Sequence, residues 1–235
     1  MAEHLQAVVF DLDGTLFDHR AAARTGATAF LTHLGLPASA PALGRWAAAE
    51  DEHFERWRSG EIGFAEQRRE RLRTVLPALG HPLDLDDTAA LDDLFADYLR
   101  RYRAAWRAFP GSRDLLDELR SRGYRLGLLT NGDAEQQCDK LARTGLSEAF
   151  DVVHASGRTG LQKPDERAFT GIARALGFAP SACLFVGDDP ERDVAGARRA
   201  GMRGLLVDRE ATSPDAVRVA VLSALEPGRP VLFEA

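Results

Sequence analysis

The chain has 235 residues, 45% of them hydrophobic and 28% charged, which suits one large soluble domain or a core with an insertion. A net charge of −6 argues against sequence-independent binding of nucleic acid, which needs a basic face. No apolar run approaches the roughly 18 residues of a membrane span, no basic segment precedes the N-terminal apolar run, and Cys138 and Cys183 read as reduced core thiols, so a cytoplasmic protein is expected.

Ala7-Val8-Val9-Phe10 is the first strand signal, a short apolar run of β-branched and aromatic residues. It leads directly into Asp11 and Asp13, followed by Gly14 and Thr15. Open α/β sheets place their ligands at the carboxyl ends of strands. Strand alternation points both carboxylates to one side, although Gly14 marks a bend already under way. Two carboxylates about 4–5 Å apart repel by about 4 kcal/mol at an effective dielectric of 20. Such a pair persists with a cation or a shared proton beside it. Taken alone, the same residues also suit a solvated turn.

Between residues 17 and 108 the strand signals vanish and helical periodicity takes over. Phe30, Leu31 and Leu34 share one side of a first helix, and Leu43, Trp46, Ala47, Glu50, Phe54 and Trp57 mark a second. Arg68, Leu72, Val75 and Leu79 mark a third, and Leu91, Leu94, Phe95, Tyr98 and Tyr102 a fourth. Breaks at Gly35-Leu36-Pro37, Ser59-Gly60 and Gly80-His81-Pro82 separate them. A four-helix bundle inserted after the first strand is the expected organisation. The run Arg68, Arg69, Arg71 and Arg73 reads as a solvated helix face, and His53, Trp46 and Trp57 as packing.

From Phe109 an α/β pattern resumes, with helices over 112–122, 133–144, 165–176 and 191–200. Strands are expected over 124–129, 152–153, 183–186 and 204–207. A last helix starts at Pro214, and Val231-Leu232-Phe233 reads as a terminal edge strand. The alternation implies a doubly wound, Rossmann-like parallel sheet with right-handed crossovers. Residues 1–16 and 109–235 would form this core, and 17–108 the helical insertion.

In such a sheet the polar residues at the strand ends share one rim. These are Asp11 and Asp13, then Thr130 and Asn131, then Asp188 and Asp189, with Lys163 at the start of a helix between them. Of 30 basic residues only Lys140 and Lys163 are lysines, so a point-charge role is worth asking of each.

Asp11-Leu12-Asp13-Gly14-Thr15, Leu129-Thr130-Asn131-Gly132, Lys163-Pro164-Asp165 and Gly187-Asp188-Asp189-Pro190-Glu191-Arg192-Asp193 stand in order along the chain. In this the sequence resembles the haloacid dehalogenase superfamily of aspartate-nucleophile phosphotransferases, over nearly its whole length. The inserted bundle resembles the type-I cap of that family. The resemblance implies Asp11 as nucleophile toward a phosphomonoester, and Asp13 as general acid and then base. It implies Thr130, Asn131 and Lys163 as phosphoryl binders, with Gly132 permitting close approach. Mg²⁺ would be held by Asp11, the main-chain carbonyl of Asp13, and Asp188. Asp193 or Asp189 would orient Lys163 or metal-bound water. The chemistry suits the residue types: a carboxylate is ionised at neutral pH without activation, and Mg²⁺ takes hard oxygen ligands.

The motif wording and the cap length look most like the nucleotidase and acylneuraminate-phosphatase branch, which implies a nucleoside monophosphate or sugar phosphate as substrate; a monomer or homodimer is expected. Phe17, Asp18, His19 and the face around Phe54 and Arg58 are candidates for substrate contact. Alternatives are a sugar-phosphate mutase, a 2-haloacid dehalogenase, which the second carboxylate disfavours, and a non-catalytic binding module on a phosphatase-like scaffold. Phosphonate cleavage through a cap lysine is disfavoured, since residues 17–108 contain no lysine.

Overall fold

The computed structural model describes residues 4–226 except 83, 85 and 210. It divides into two compact units, Met1–Asp18 with Arg107–Ala235, and His19–Trp106.

The first unit is an α/β sandwich. Its five strands are β1 (Ala7–Phe10), β2 (Arg125–Thr130), β3 (Val152–Ala155), β4 (Cys183–Gly187) and β5 (Arg203–Leu206). All pair in parallel, in the order β3-β2-β1-β4-β5. Its helices are α5 (Ser112–Ser121), α6 (Ala134–Arg143), α7 (Ser156–Thr159), α8 (Glu166–Leu176), α9 (Gly196–Arg199) and α10 (Pro214–Ala224). The apolar run of β1 is fully buried because the strand is central, with Phe10 opposite both Leu128 and Val186. Phe169 and Ile172 of α8 pack on Val9, Leu129 and Phe185, with the Phe169 and Phe185 rings 5.0 Å apart and edge-on. The chain order reverses at β1, and the loops after β1 and β4 therefore open beside one another.

Local signals set most boundaries. Asp133, Asp165 and Ser213 accept main-chain N–H groups at the starts of α6, α8 and α10. Gly177 ends α8 in the left-handed conformation. The helix expected over 191–200 begins instead as a wide π-type turn, Pro190–Ala195, before α9. Ser112 is the buried first residue of α5, and its hydroxyl donates to the Leu16 carbonyl. Cys183 is a buried free thiol as expected, whereas Cys138 is exposed. The strand expected at 231–233 lies outside the described residues.

The second unit consists of α1 (His19–His33), α2 (Ala40–Arg58), α3 (Phe64–Val75) and α4 (Thr88–Ala104). Its centre is aromatic: Trp46 and Tyr98 lie 4.6 Å apart, and Phe30 and Phe95 meet Tyr98 edge-on. One expectation fails here. Arg71, read as part of a solvated face, is buried, with Nη1 2.9 Å from Glu50 Oε1 and Nη2 donating to Gln67. His53 is buried as expected. It donates through Nε2 to the Thr74 hydroxyl, and its Nδ1 accepts from Arg56. Desolvation pushes its pKa below the usual value, so the ring stays neutral. Arg58 pairs with Glu55 and lies over the Phe54 ring. Among the described residues no helix is long and apolar enough to cross a membrane.

Candidate active site

Asp11 follows the last residue of β1, and its N–H donates to the Val186 carbonyl at the end of β4. That bond seats a carboxylate between the two strand ends where the chain order reverses. Lys163 Nζ donates to Asp11 Oδ1 at 2.5 Å and to Asp193 Oδ1 at 2.6 Å, and all three side chains are buried. Asp188 stands at the exposed end of the group. The Thr15 hydroxyl bridges it to Asp11, at 3.3 Å from Asp188 Oδ1 and 3.5 Å from Asp11 Oδ2. Carboxylate oxygens of Asp11, Asp188 and Asp193 all lie within 4.8 Å of one another.

Two glycines permit this crowding. A Cβ on Gly14, whose φ is +88°, would lie 2.2 Å from Asp188 Oδ2, and one on Gly187 would lie 2.2 Å from Asp193 Oδ2.

Three carboxylates around one ammonium leave an excess of negative charge, and the titration of the site reflects it. Burial raises the Asp11 pKa well above the ordinary carboxylate value, opposed by Lys163 and reinforced by Asp193 and Asp188. Desolvation and the charge of Asp193 push the Asp188 carboxyl up to about 6. Lys163 is held protonated by Asp11 and Asp193 against the cost of its own burial. Hard oxygen donors carrying uncompensated negative charge fit a small divalent cation such as Mg²⁺. The site therefore suits the metal on its chemistry alone.

Asp13 stands apart from this group, against the expectation from strand alternation. Its carboxylate receives Lys140 Nζ on both oxygens, at 2.6 and 2.8 Å, and Gln137 Nε2 on Oδ2 at 2.9 Å. The strand ends at Phe10, so by Asp13 the chain has left strand geometry and alternation no longer sets the side on which each carboxylate lies. Thr130, at the end of β2, accepts from the same Gln137 amide at 2.6 Å. Asn131 pairs its side-chain amide with the main chain of Lys163, donating to the carbonyl and accepting from the N–H, each at 2.8 Å. That pair fixes Lys163 in the loop before α8, three residues ahead of the helix rather than at its start.

The Gly132 N–H donates to the Ser156 hydroxyl. Asp189 caps the π-type turn through the N–H groups of Glu191 and Arg192, while Asp193 is the one that holds Lys163. The expected residues thus form two clusters. Asp11, Lys163, Asp188 and Asp193 make one, and Asp13 with Thr130 the other.

Sequence reasoning missed Thr15, Gln137 and Lys140. Lys140 carries a signal in the scarcity of lysine and Thr15 one in its place within Asp11-Leu12-Asp13-Gly14-Thr15, but neither signal names a role. Gln137 lies one helical turn before it on the same face of α6.

The chain is similar to known proteins over most of its length. A family model described as haloacid dehalogenase-like hydrolase matches residues 5–201. A glyceraldehyde 3-phosphate phosphatase of Methanothermobacter thermautotrophicus is 32% identical, over 90% of this chain and 89% of that protein. Phosphatase MT3486 of Mycobacterium tuberculosis is 35% identical, over 91% and 92%. Among solved structures, the HAD-hydrolase YfnB of Bacillus subtilis, solved bound to magnesium, superposes with a TM-score of 0.76 at 22% identity, over 89% of this chain and 92% of that one.

Proposed function

The chain belongs to the haloacid dehalogenase-like hydrolases and is a phosphoric monoester hydrolase, and we propose that it works with Mg²⁺ through a phosphoryl group carried on Asp11. The observation that carries this reading is the Asp11 carboxylate seated on Lys163, with two further carboxylates within 4.8 Å. A lone catalytic carboxylate would need no such excess of negative charge around it.

Asp11, Asp188 and Asp193 are the side chains that would hold the ion. When bound, Mg²⁺ supplies the positive charge that lets a carboxylate and a phosphate monoester approach. Lys163 adds a compact charge beside Asp11 Oδ1, where the phosphoryl oxygens arrive. An Asp11 oxygen attacks phosphorus, the ester P–O bond breaks, and its electron pair leaves on the alcohol oxygen, which takes a proton from the Asp13 carboxyl. Water then attacks the phosphorus of the aspartyl phosphate and passes a proton back to Asp13. The P–O bond to Asp11 breaks, freeing inorganic phosphate and restoring the carboxylate. Thr130 and the Asn131 main chain bind phosphoryl oxygens, and Gly132 leaves room for them. The helical unit corresponds to the part of the chain that resembles the family's type-I cap.

The substrate class is a small soluble phosphate ester, a sugar phosphate or a nucleoside monophosphate. The relative named for glyceraldehyde 3-phosphate favours a short sugar phosphate. A phosphate-release screen of sugar phosphates, nucleoside monophosphates and 4-nitrophenyl phosphate, with Mg²⁺ and with EDTA, tests the proposal. Metal-dependent release from at least one ester is expected. Inert enzyme, or equal release in EDTA, overturns it, and a requirement for a bisphosphate activator would point to a mutase.

A further inference from the structure

Lys140 is the one lysine that the proposed chemistry leaves without a role. It sits in α6 with its side chain 2% exposed, whereas its partner Asp13 is 28% exposed. Its ammonium meets both Asp13 oxygens and lies 4.9 Å from the centre of the Phe17 ring. The Gln137 amide spends one hydrogen on Asp13 and the other on Thr130. Asp13 is therefore gripped from the α6 side, with part of its carboxylate exposed. Burying an ammonium costs several kcal/mol unless its partner geometry is good, and here both carboxylate oxygens are engaged. Arginine fills 28 of the 30 basic positions, and its planar fork does not substitute for a point charge in a narrow buried slot.

The two motif carboxylates are held by different groups. Asp11 belongs to Lys163, Thr15 and the acidic cluster, and Asp13 to Lys140 and Gln137. We propose that Lys140 is a positioning residue that, with Gln137, keeps the Asp13 side chain out of the metal-binding carboxylates and orients its exposed part toward the leaving oxygen of the ester. Neighbouring carboxylates on one loop thereby take different tasks, one nucleophilic and one proton-transferring. This inference rests on the hydrolase reading with Asp13 as proton donor.

Its signature is sensitivity to the leaving group. An alkyl alkoxide needs a proton as the P–O bond breaks, while 4-nitrophenolate leaves well without one. With Mg²⁺ present, Lys140→Met is expected to lower kcat on an alkyl ester by about 10²-fold and on 4-nitrophenyl phosphate by less than about tenfold, with KM for both nearly unchanged. In an Asp13→Asn background the same change should cost no more than about threefold further, since Lys140 acts through Asp13. Melting temperatures of all variants are measured alongside. Should Lys140→Met not fold, Lys140→Gln, which keeps a donor but no ammonium, reads the same ratio. Equal losses on the two esters, or a double variant whose loss is the product of the single ones, would overturn the proposal and leave Lys140 a structural ion pair. The alkyl ester compared with 4-nitrophenyl phosphate is the sugar phosphate or nucleoside monophosphate that the screen shows to be hydrolysed, and wild-type protein inert toward every ester of that screen would instead overturn the hydrolase reading itself.

Discussion

The two units of this protein bury charge in opposite ways. In the helical unit, buried charge is balanced: Arg71 meets Glu50, and His53 stays neutral between Thr74 and Arg56. In the α/β unit, Asp11, Asp188 and Asp193 crowd around the single ammonium of Lys163. Balanced burial is what folding stability asks of an interior charge, and an uncompensated cluster is tolerated where a ligand will complete it. Counting buried charges separates these cases, since both regions are full of ion pairs. Asp13 and Lys140 form a balanced pair placed next to the unbalanced cluster, which is why the two motif carboxylates behave as different groups.

The largest test of the contrast is Asp11→Asn. Turnover should fall by at least about 10³-fold, or about 4 kcal/mol of transition-state stabilisation. In EDTA the same variant should melt higher than the wild type, because one of three crowded carboxylates has become neutral. Retained phosphatase activity would refute the nucleophile assignment, and a lower melting temperature would argue against excess charge in the core.

Arg71→Met probes the other unit and should act in the opposite direction. Removing one partner of a buried pair leaves the other uncompensated and typically costs about 3–5 kcal/mol. Glu50 retains some access to water and has His19 Nε2 3.7 Å away, so a loss of about 3 kcal/mol is expected. Adding Glu50→Leu should recover most of it, as seen by denaturant unfolding. No loss in the single variant would mean that the helical unit does not depend on charge balance.

Sequence reasoning reaches different depths in the two regions. The β1 run, the four helices and the order of the rim residues are legible because each is local: a four-residue apolar run, a 3.6-residue period, a glycine after a carboxylate. Arg71 is not legible, because hydropathy places arginine outside. The face shared by Gln67, Arg71 and Val75 is buried nonetheless, with polar groups satisfying one another. The grip of Lys140 on Asp13 joins residues 127 apart, and only the packing of α6 beside the end of β1 creates it. The separation of Asp11 from Asp13 is only partly legible: Gly14 announces a bend, but the end of β1 at Phe10 is what takes both carboxylates out of strand alternation. Asp189 and Asp193 lie in one turn, and their division of labour follows from the π-type geometry, which turns Asp193 inward to Lys163 and leaves Asp189 to cap.

The smallest expected effect compares the units by pH. In EDTA, Asp188 is a carboxyl with its folded pKa raised to about 6, so the folded state binds its proton more tightly than the unfolded chain does. Its contribution favours folding at low pH and is lost as pH rises from about 4 through about 6. His53 has the opposite sign. Its folded pKa is depressed, so its contribution is present above the ordinary histidine value and is lost as pH falls below about 6.5. The two partly cancel in a metal-free melting curve, but Mg²⁺ separates them. The His53 contribution is common to melts with and without the ion, whereas a protonated Asp188 competes with it. The stabilisation given by Mg²⁺, about 2.7 kcal/mol at a hundredfold excess over its dissociation constant, should be full at pH 7.5 and shrink steadily toward pH 5. An increment independent of pH would show that the ion binds without displacing a proton, and the core would then hold no excess charge for it to relieve.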